Sequence, residues 1–166
     1  NFKQIATDQT IEDIREFALK QYLSELSQSL SPQLRQGQHQ VDISCDDSVS
    51  ILSYPGALAQ IFTNLIINSI LHGFENQQAG KISITVEPSS NTLDIHYHDN
   101  GRGVSDEQRS KVFDPFYTTK RSEGGTGLGL HICYNLVTQK LRGTISCIPS
   151  DTGAYFKISL PRSLKA

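Results

Sequence analysis

The residues Asp99 to Gly103, which read DNGRG, have the types and spacing of a small-molecule site. They follow a stretch, 93–98, that alternates apolar and polar side chains as a half-buried strand does. Asp99 can accept a hydrogen bond from an amino group such as that of adenine, and Gly101 and Gly103 let the backbone come close to a ligand. The same letters are also ordinary turn chemistry between two strands. Taken alone, the run leaves a ligand site and a plain turn both open.

A helix predicted from about Pro55 to Phe74 carries a second set of candidate residues. Apolar side chains cover most of its circumference, so the helix should be largely buried. Polar side chains nevertheless recur every four residues along one stripe: Gln60, Asn64, Asn68 and His72. A buried amide without partners costs about 1–3 kcal/mol. The stripe therefore either pairs with neighbours at a helix–sheet seam or faces a ligand or magnesium ion, which suits amide oxygens, waters and phosphates.

A third candidate is the glycine-rich run from Gly125 to Leu130, which opens a helix predicted to reach about Leu141. The start of a helix offers unpaired N–H groups and the positive end of the helix dipole to an anion such as a phosphate. The run contains neither the Walker pattern GxxxxGK[ST] nor the dinucleotide pattern GxGxxG. It therefore predicts an anion site of a different type.

The composition indicates a globular chain and excludes several classes of partner. The chain has 166 residues, of which 37% are hydrophobic and 19% charged, as expected for one domain with a core. Its formal net charge of -2 and the lack of a basic block argue against a nucleic-acid partner. The three cysteines have no CxxC spacing, so neither a disulfide framework nor a zinc site is predicted, and a reducing cytoplasm fits best.

The sequence shows no membrane-spanning or signal segment. No apolar run approaches the roughly 20 residues needed to cross a bilayer, and the first residues lack a signal peptide's basic start. We expect no membrane contact by this domain. The chain has no Met and begins with Asn1, which suggests a piece of a longer protein whose membrane anchor, if it has one, lies elsewhere.

The elements needed to position these candidates can be read from periodicity. An amphipathic helix is predicted from Thr10, which forms a capping-box pattern with Asp13, to Leu30. A short helix is predicted at 106–111, and strands at 39–45, 49–52, 81–87, 92–98, 144–148 and 153–160. Residues 1–38 are interpreted as a linker with the first helix, and residues 39–166 as one globular domain on which that helix packs.

Four stretches together resemble the ATP-binding catalytic domain of sensor histidine kinases. The wider group includes DNA gyrase B, the ninety-kilodalton heat-shock chaperones and the MutL repair proteins. The stretches are the asparagine box (Asn64 to His72), the first glycine box (Asp99 to Gly103), the phenylalanine box (Phe113 to Lys120) and the second glycine box (Gly125 to Leu130). They occur in the family order. The resemblance implies a Bergerat-type α/β fold, a two-layer α/β sandwich with a mixed sheet and helices on one face.

The resemblance also implies that the cofactors are ATP and Mg2+, with the phosphates near the asparagine box. Asn68 resembles the magnesium ligand that bridges to the phosphates, and Asn64 supports it one turn earlier. His72 is similar in position to a residue that reaches the phosphates or ribose, although a lone helical histidine is also commonly a packing residue. Lys120, in the lid, resembles a partner of the terminal phosphate or is an ordinary solvated charge. The candidate catalytic residues are Asn64, Asn68 and Lys120.

The other two boxes are implied to hold the base and the phosphates. Asp99 resembles the residue that accepts from the exocyclic amino group of adenine, while Gly101 and Gly103 let the backbone pass close to the base. The second glycine box resembles the lid hinge and phosphate cradle, through Gly125, Thr126, Gly127, Leu128, Gly129 and Leu130.

Three positions depart from the family pattern. Gyrase, chaperone and repair ATPases place a Glu general base where this chain has Asn64, which favours phosphotransfer over hydrolysis. Many histidine kinases carry Lys where this chain has Leu71, which weakens one phosphate contact. Ala154 stands where relatives often place Thr, which removes the side chain of a water-mediated adenine contact.

The family's phosphoacceptor motif is a helical histidine followed by an acid, with proline five residues after the histidine. None of the five histidines has that proline.

The predicted function is therefore that of a catalytic domain that positions MgATP for γ-phosphoryl transfer to a histidine on a separate dimerisation helix pair of the same full-length protein. A response-regulator receiver domain would take the phosphate next. A stand-alone ATPase of the gyrase or chaperone type and a nonenzymatic nucleotide-sensing module remain alternatives.

Overall fold

The computed structural model describes residues 13–117 and 129–164. The five strands of its main sheet are β2 (Gln40–Ser44), β4 (Lys81–Pro88), β5 (Thr92–Asp99), β6 (Thr144–Cys147) and β7 (Tyr155–Pro161). They lie in the order β2-β4-β5-β7-β6, in which β2 pairs parallel with β4 and the other pairs are antiparallel. The structure confirms the mixed α/β sheet that the resemblance implied.

The remaining elements cover one side of this sheet or lie beside it. A two-stranded sheet is formed by β1 (Arg15–Ala18) and β3 (Ser50–Ser53). The helices are α1 (Leu19–Ser29), α2 (Ser31–Gln36), α3 (Pro55–Asn68), α4 (Asp106–Arg109) and α5 (Gly129–Asn135). No helix in the described part of the chain is both long and apolar enough to cross a membrane.

Alternation along β5 explains why one face of the sheet is covered. Leu93, Ile95 and Tyr97 are completely buried beneath the helices, whereas His96 and His98 on the opposite face are partly exposed. Successive side chains of a strand point to opposite faces, so the sequence alternation translates directly into an inner and an outer face. Asp99 continues the inner row, and this row carries its carboxylate under the helices.

Helix α3 is the central helix of the core. Pro55 occupies its first turn, where a missing N–H group costs nothing, and its apolar side chains are buried over most of the circumference. The prediction of a largely buried helix is confirmed. The prediction of one continuous α-helix to Phe74 is wrong after Asn68, because the chain becomes π-helical at Ser69–Gly73. Helix α5 likewise continues as a π-helix, Leu136–Lys140.

The N-terminal helix prediction is partly wrong. Thr10, the predicted cap, lies outside the described residues, and Arg15–Ala18 form strand β1 where helix was predicted. This segment pairs antiparallel with β3, and that strand provides the partners for its backbone N–H and C=O groups. Periodicity along the chain cannot reveal a partner in another segment. Helix α1 begins at Leu19. The other predicted strands and the short helix end within two residues of their observed bounds.

Helix α1 contributes to the same core as the sheet. Leu19, Leu23 and Leu26 are buried, as is Tyr22, whose hydroxyl donates a hydrogen bond to the Pro55 carbonyl at 2.9 Å. This bond joins α1 to the start of α3. The N-terminal helix is therefore fixed against the helix that carries the asparagine box.

Candidate nucleotide-binding site

Asp99 is a buried carboxylate held by donors from three parts of the chain. It is only 3% exposed. Its Oδ1 accepts from the backbone N–H groups of Gly101 and Ala154, both at 3.0 Å, and its Oδ2 accepts from Ser69 Oγ at 2.7 Å. A carboxylate offers about four acceptor positions, so these three donors leave one. The site can therefore accept one further N–H group, such as one from an exocyclic amine.

The glycines around Asp99 are required by the close approach of the chain to itself. A Cβ on Gly101 would lie 2.3 Å from the Gly73 carbonyl oxygen, and one on Gly153 would lie 1.9 Å from the Asp99 carbonyl oxygen. Gly103 and Gly153 also have positive φ angles, of 81° and 85°. The sequence prediction assigned Gly101 and Gly103 to the approach of a base. In the structure, the backbone of neighbouring segments occupies the space that their missing side chains leave.

Two hydroxyl groups lie beneath Asp99. Ser69 Oγ is 2.6 Å from Tyr97 Oη, which in turn lies 3.0 Å from the Leu65 carbonyl oxygen. Ser69 is 2% exposed and Tyr97 is completely buried. Burial raises the pKa of Tyr97 well above its ordinary value, so the phenol keeps its proton. The carboxylate therefore rests on a neutral hydroxyl pair rather than on a cation.

Asn64 connects α3 to the start of α5. Its Nδ2 donates to the Gly129 carbonyl at 3.3 Å, and its Oδ1 accepts from Gln60 Nε2 at 3.4 Å. Nearby, the buried Cys133 thiol donates to the Ile61 carbonyl at 3.5 Å. Burial raises the pKa of Cys133 to about 12. Asn64 thus pairs with neighbours at a seam between two helices, which agrees with the first alternative for the polar stripe. The second, that the stripe faces a ligand or magnesium ion, stays a prediction.

Asn68 lies one turn after Asn64 and is half-buried. Its side chain makes no hydrogen bond with the residues that the structure describes. Asn64 and Asn68 share a face of α3, as predicted from their spacing. His72 falls within the π-helical turn, so the α-helical spacing used to place it on that stripe does not extend to it.

Phe113, the first residue of the phenylalanine box, is anchored to the body of the domain. Its ring lies 6.1 Å from that of Phe156 and 5.5 Å from that of Tyr134, measured between centroids. Its carbonyl oxygen lies 3.1 Å from Nδ1 of His131 on α5. Gly129 and Leu130 form the start of α5. The other predicted residues of the lid and second glycine box lie outside the described residues: Lys120, Gly125, Thr126, Gly127 and Leu128.

Sequence reasoning missed several residues that hold Asp99. Tyr97 gave a signal, since it is an inward-facing residue with a hydroxyl two positions before Asp99. Ser69 directly follows Asn68 and could have been noticed in the same way. Ala154 contributes only its backbone, which donates to Asp99 Oδ1 and accepts from the Asp99 N–H at 3.0 Å. No side-chain pattern reveals a backbone donor.

The described residues contain no group of three or more His, Cys, Asp or Glu side chains that could hold a metal ion. Amide oxygens such as that of Asn68 are hard ligands, and they fit a magnesium ion that also keeps waters and takes phosphate oxygens.

Comparison with known proteins identifies the family. Residues 54–164 match the family described as histidine kinase-, DNA gyrase B-, and HSP90-like ATPase. The chain belongs to this family. The matched range contains Asn64, Asn68 and Asp99. Membership of this family makes the domain a nucleotide-binding domain, and the curated relatives that it resembles are histidine kinases.

Among curated relatives, the histidine-protein kinase BaeS of Escherichia coli (strain K12) is 31% identical over 125 residues, which are 73% of this chain and 26% of the relative. The sensor histidine kinase ZraS of Escherichia coli O157:H7 is 36% identical over 117 residues, or 70% of this chain and 24% of the relative. The chain thus spans about a quarter of the length of these relatives.

Solved structures of histidine kinases share the fold. The catalytic domain of ThkA superimposes with a TM-score of 0.80 at 24% identity, covering 92% of this chain and 99% of that one. Full-length ShkA, solved in complex with AMPPNP, gives a TM-score of 0.76 at 21% identity, covering 99% of this chain and 35% of that one. The architecture implied by the sequence motifs is confirmed.

Proposed function

We propose that this domain holds MgATP and positions its γ-phosphate for transfer to a histidine on a separate dimerisation helix pair of the same full-length protein. The observation that carries the proposal is the buried Asp99, whose carboxylate keeps one acceptor position for an amine. In the proposal that position takes the exocyclic amino group of adenine, with Gly101 and Gly103 shaping the adjacent turn.

The phosphates and the magnesium ion are assigned to the other end of the site. Asn68 would hold the ion through its amide oxygen, because that side chain has no other partner among the described residues. Asn64 would support it from one turn earlier. The ion would supply charge neutralisation for the phosphates, and the protein would supply their orientation. His72 is proposed to reach the phosphates or ribose from the π-helical turn.

The proposal assigns the remaining phosphate contacts to the second glycine box and the lid. Lys120 would pair with the terminal phosphate, and the run from Gly125 to Leu130 would cradle the phosphates at the start of α5. Gly129 supports this assignment, because its carbonyl accepts from Asn64 and so joins the glycine box to the asparagine box.

Phosphotransfer is favoured over hydrolysis by the chemistry of Asn64. An amide cannot accept a proton from water near neutral pH, and both ends of this amide already pair, with Gln60 and with Gly129. A water molecule attacking the γ-phosphate would lack a general base at this position. A histidine side chain needs no such base, because its neutral imidazole nitrogen is itself nucleophilic.

The proposed partners are the dimerisation helices of the full-length protein and a response-regulator receiver domain. ThkA has been solved in complex with the response regulator TrrA, and that ThkA structure shares the fold at a TM-score of 0.75 and 23% identity.

We place the domain in the cytoplasm, where its three free cysteines would stay reduced. We also propose that residues 39–166 form the nucleotide-binding domain and that residues 1–38 supply a linker and the first helix.

Calorimetry and a transfer assay test this function together. We expect ATP to bind this chain more tightly with Mg2+ than with a chelator, and the full-length protein to take up label from γ-labelled ATP on histidine. Steady release of phosphate by this chain alone, without label on the full-length protein, would favour the ATPase alternative. Tight ATP binding with neither label nor phosphate release would favour a nonenzymatic sensor. Absence of ATP binding would overturn all three.

A further inference from the structure

Three short oxygen contacts beneath Asp99 share only two hydroxyl protons. Tyr97 Oη lies 3.0 Å from the Leu65 carbonyl oxygen and 2.6 Å from Ser69 Oγ, which lies 2.7 Å from Asp99 Oδ2. Tyr97 and Ser69 each carry one hydroxyl proton, whereas a carbonyl and a carboxylate only accept. One of the three contacts is therefore left without a proton.

The contact between Tyr97 and Leu65 is the one that can be left without a proton at least cost. It is the longest of the three, and the Leu65 carbonyl already accepts the backbone N–H of Ser69. Leaving the 2.6 Å contact between Ser69 and Tyr97 without a proton would bring two oxygen lone pairs together. Tyr97 therefore donates to Ser69, and Ser69 donates to Asp99. Both O–H dipoles point towards the carboxylate, and each strengthens the other.

We propose that Ser69 and Tyr97 are positioning residues that fix the Asp99 carboxylate for the amino group of adenine. The inference rests on the proposed function, in which Asp99 reads that group. With the Ser69 hydroxyl on Oδ2 and two backbone N–H groups on Oδ1, the carboxylate cannot rotate without breaking a bond. Its last acceptor position then has a fixed direction. Tyr97 acts through Ser69 and does not contact Asp99 in this arrangement.

The π-helical turn contributes to the same arrangement. Ser69 is its first residue, and the Phe74 N–H donates to the Ser69 carbonyl at 2.8 Å. Gly73, four residues after Ser69, also faces Asp99, and a Cβ there would lie 2.9 Å from Oδ2. The turn thus brings the Ser69 hydroxyl to the Asp99 carboxylate, and the missing side chain of Gly73 leaves space for Oδ2. Such π-helical segments often mark functional sites, and this one has a defined task.

The test compares two nucleotides that differ only in the group that Asp99 would read. Calorimetry measures binding of ATP and of purine riboside 5′-triphosphate, which lacks the 6-amino group, to the wild-type chain and to Ser69→Ala and Tyr97→Phe. The matched control is Tyr22→Phe, which also removes a buried hydroxyl hydrogen bond, but one directed to Pro55. Thermal melts of each variant show whether it is folded.

We expect Ser69→Ala and Tyr97→Phe to weaken ATP binding about 3- to 10-fold and to leave purine riboside triphosphate binding within about 2-fold of wild type. The ratio of the two affinities should not change in Tyr22→Phe. A merely structural role for the hydroxyls would weaken both nucleotides equally, and that result would overturn the inference. If Tyr97→Phe does not fold, Ser69→Ala alone decides, because it removes the donor that touches Asp99.

Failure of the inference can be told apart from failure of the proposed function. If wild type binds ATP, Asp99→Ala does not, and both hydroxyl variants bind ATP normally, then the positioning role is wrong and the adenine site stands. If wild type binds both nucleotides equally, Asp99 does not read the amino group and the inference falls with that assignment. If wild type binds neither, both proposals fail.

Discussion

The two ends of the proposed nucleotide site differ in how completely the protein satisfies its own polar groups. At one end, Asp99 is buried and accepts three hydrogen bonds from within the described chain. At the other, Asn68 is half-buried and its amide has no hydrogen-bond partner among the described residues. The first, which we call the closed end, is organised by the chain itself, whereas we propose that the second, the open end, is completed by its ligand.

The chemistry of the proposed ligand, MgATP, would explain the difference. Adenine is flat and uncharged, so hydrogen bonds of defined direction distinguish it from other flat bases, and a fixed acceptor such as Asp99 provides one such direction. Phosphates and magnesium carry high charge and keep part of their water, so they require room and adaptable ligands. A half-exposed amide on α3 meets this requirement, and a closed network would not.

The largest effect is expected when the closed end is broken at Asp99. Asp99→Ala should weaken ATP binding by about 100-fold, because the acceptor for adenine is lost. It also leaves Ser69, Gly101 and Ala154 without their acceptor, so the free energy of unfolding should fall by about 2–4 kcal/mol. Calorimetry and denaturant unfolding measure the two losses. Asp94→Ala, an acid on the outer face of the same strand, should leave ATP binding unchanged; an equal loss there would contradict a specific role for Asp99.

Gly153→Ala tests the backbone packing around Asp99 at the same end of the site. The new Cβ would lie 1.9 Å from the Asp99 carbonyl oxygen, at a φ of 85° that alanine rarely adopts. We expect the free energy of unfolding to fall by about 2–3 kcal/mol, measured by urea denaturation. Gly129→Ala is the control, since among the described residues outside its own helix backbone the nearest heavy atom to a Cβ there is Asn64 Cβ, at 4.0 Å. Equal stability of the two variants would show that the turn next to Asp99 is less tightly packed than described.

Asn68→Ala tests the open end. It should weaken binding of MgATP by about 10-fold and leave binding of adenosine unchanged, because only the magnesium and phosphate contacts are lost. The melting temperature should hardly change, since the side chain makes no hydrogen bond with the described residues. Asn64→Ala, which breaks bonds to Gly129 and Gln60, should lower it more. A large loss of adenosine affinity in Asn68→Ala would contradict the separation of the two ends.

The free energy of unfolding should depend on pH through Cys133, a buried thiol that contacts the Ile61 carbonyl on α3. Burial raises the pKa of this thiol from 9.0 to about 12, so folding favours its neutral form. Its contribution to stability is complete below about pH 9 and is lost as the pH rises towards 12. Between pH 8 and pH 10 the free energy of unfolding should fall by about 1 kcal/mol more in wild type than in Cys133→Ala. Identical pH profiles would show that water reaches this thiol.

The smallest effect is expected from adding charge at the open end. Leu71 is 43% exposed and stands where many histidine kinases carry Lys, so Leu71→Lys would add a cation without disturbing the core. We expect ATP binding at low salt to strengthen about 2-fold, and the gain to vanish at high salt. Ser90→Lys adds the same charge at the exposed turn between β4 and β5. A similar gain there would indicate a general charge effect instead of a local contact.

The sequence alone determined the features that depend on local spacing. Alternation along 93–98 placed Asp99 on the inner face of a strand, and the apolar circumference of α3 predicted its burial. The spacing of Asn64 and Asn68 placed both on one helical face. The order of the four boxes then identified the family and its fold. The strand and helix inferences need only the neighbours of a residue along the chain, because helix and strand periods are local. The family rests instead on the resemblance of four motifs in the family order.

The tertiary structure alone decided which groups meet. Ser69 and Ala154 donate to Asp99 across separations of 30 and 55 residues, and no local pattern predicts such partners. The strand at Arg15–Ala18 exists because β3 pairs with it, although its periodicity suggested helix. The close approach of Gly101 to Gly73 likewise depends on two distant segments. The physical reason is the same in each case: a hydrogen bond or a steric contact is fixed by position in space, and folding sets that position only when distant parts of the chain pack together.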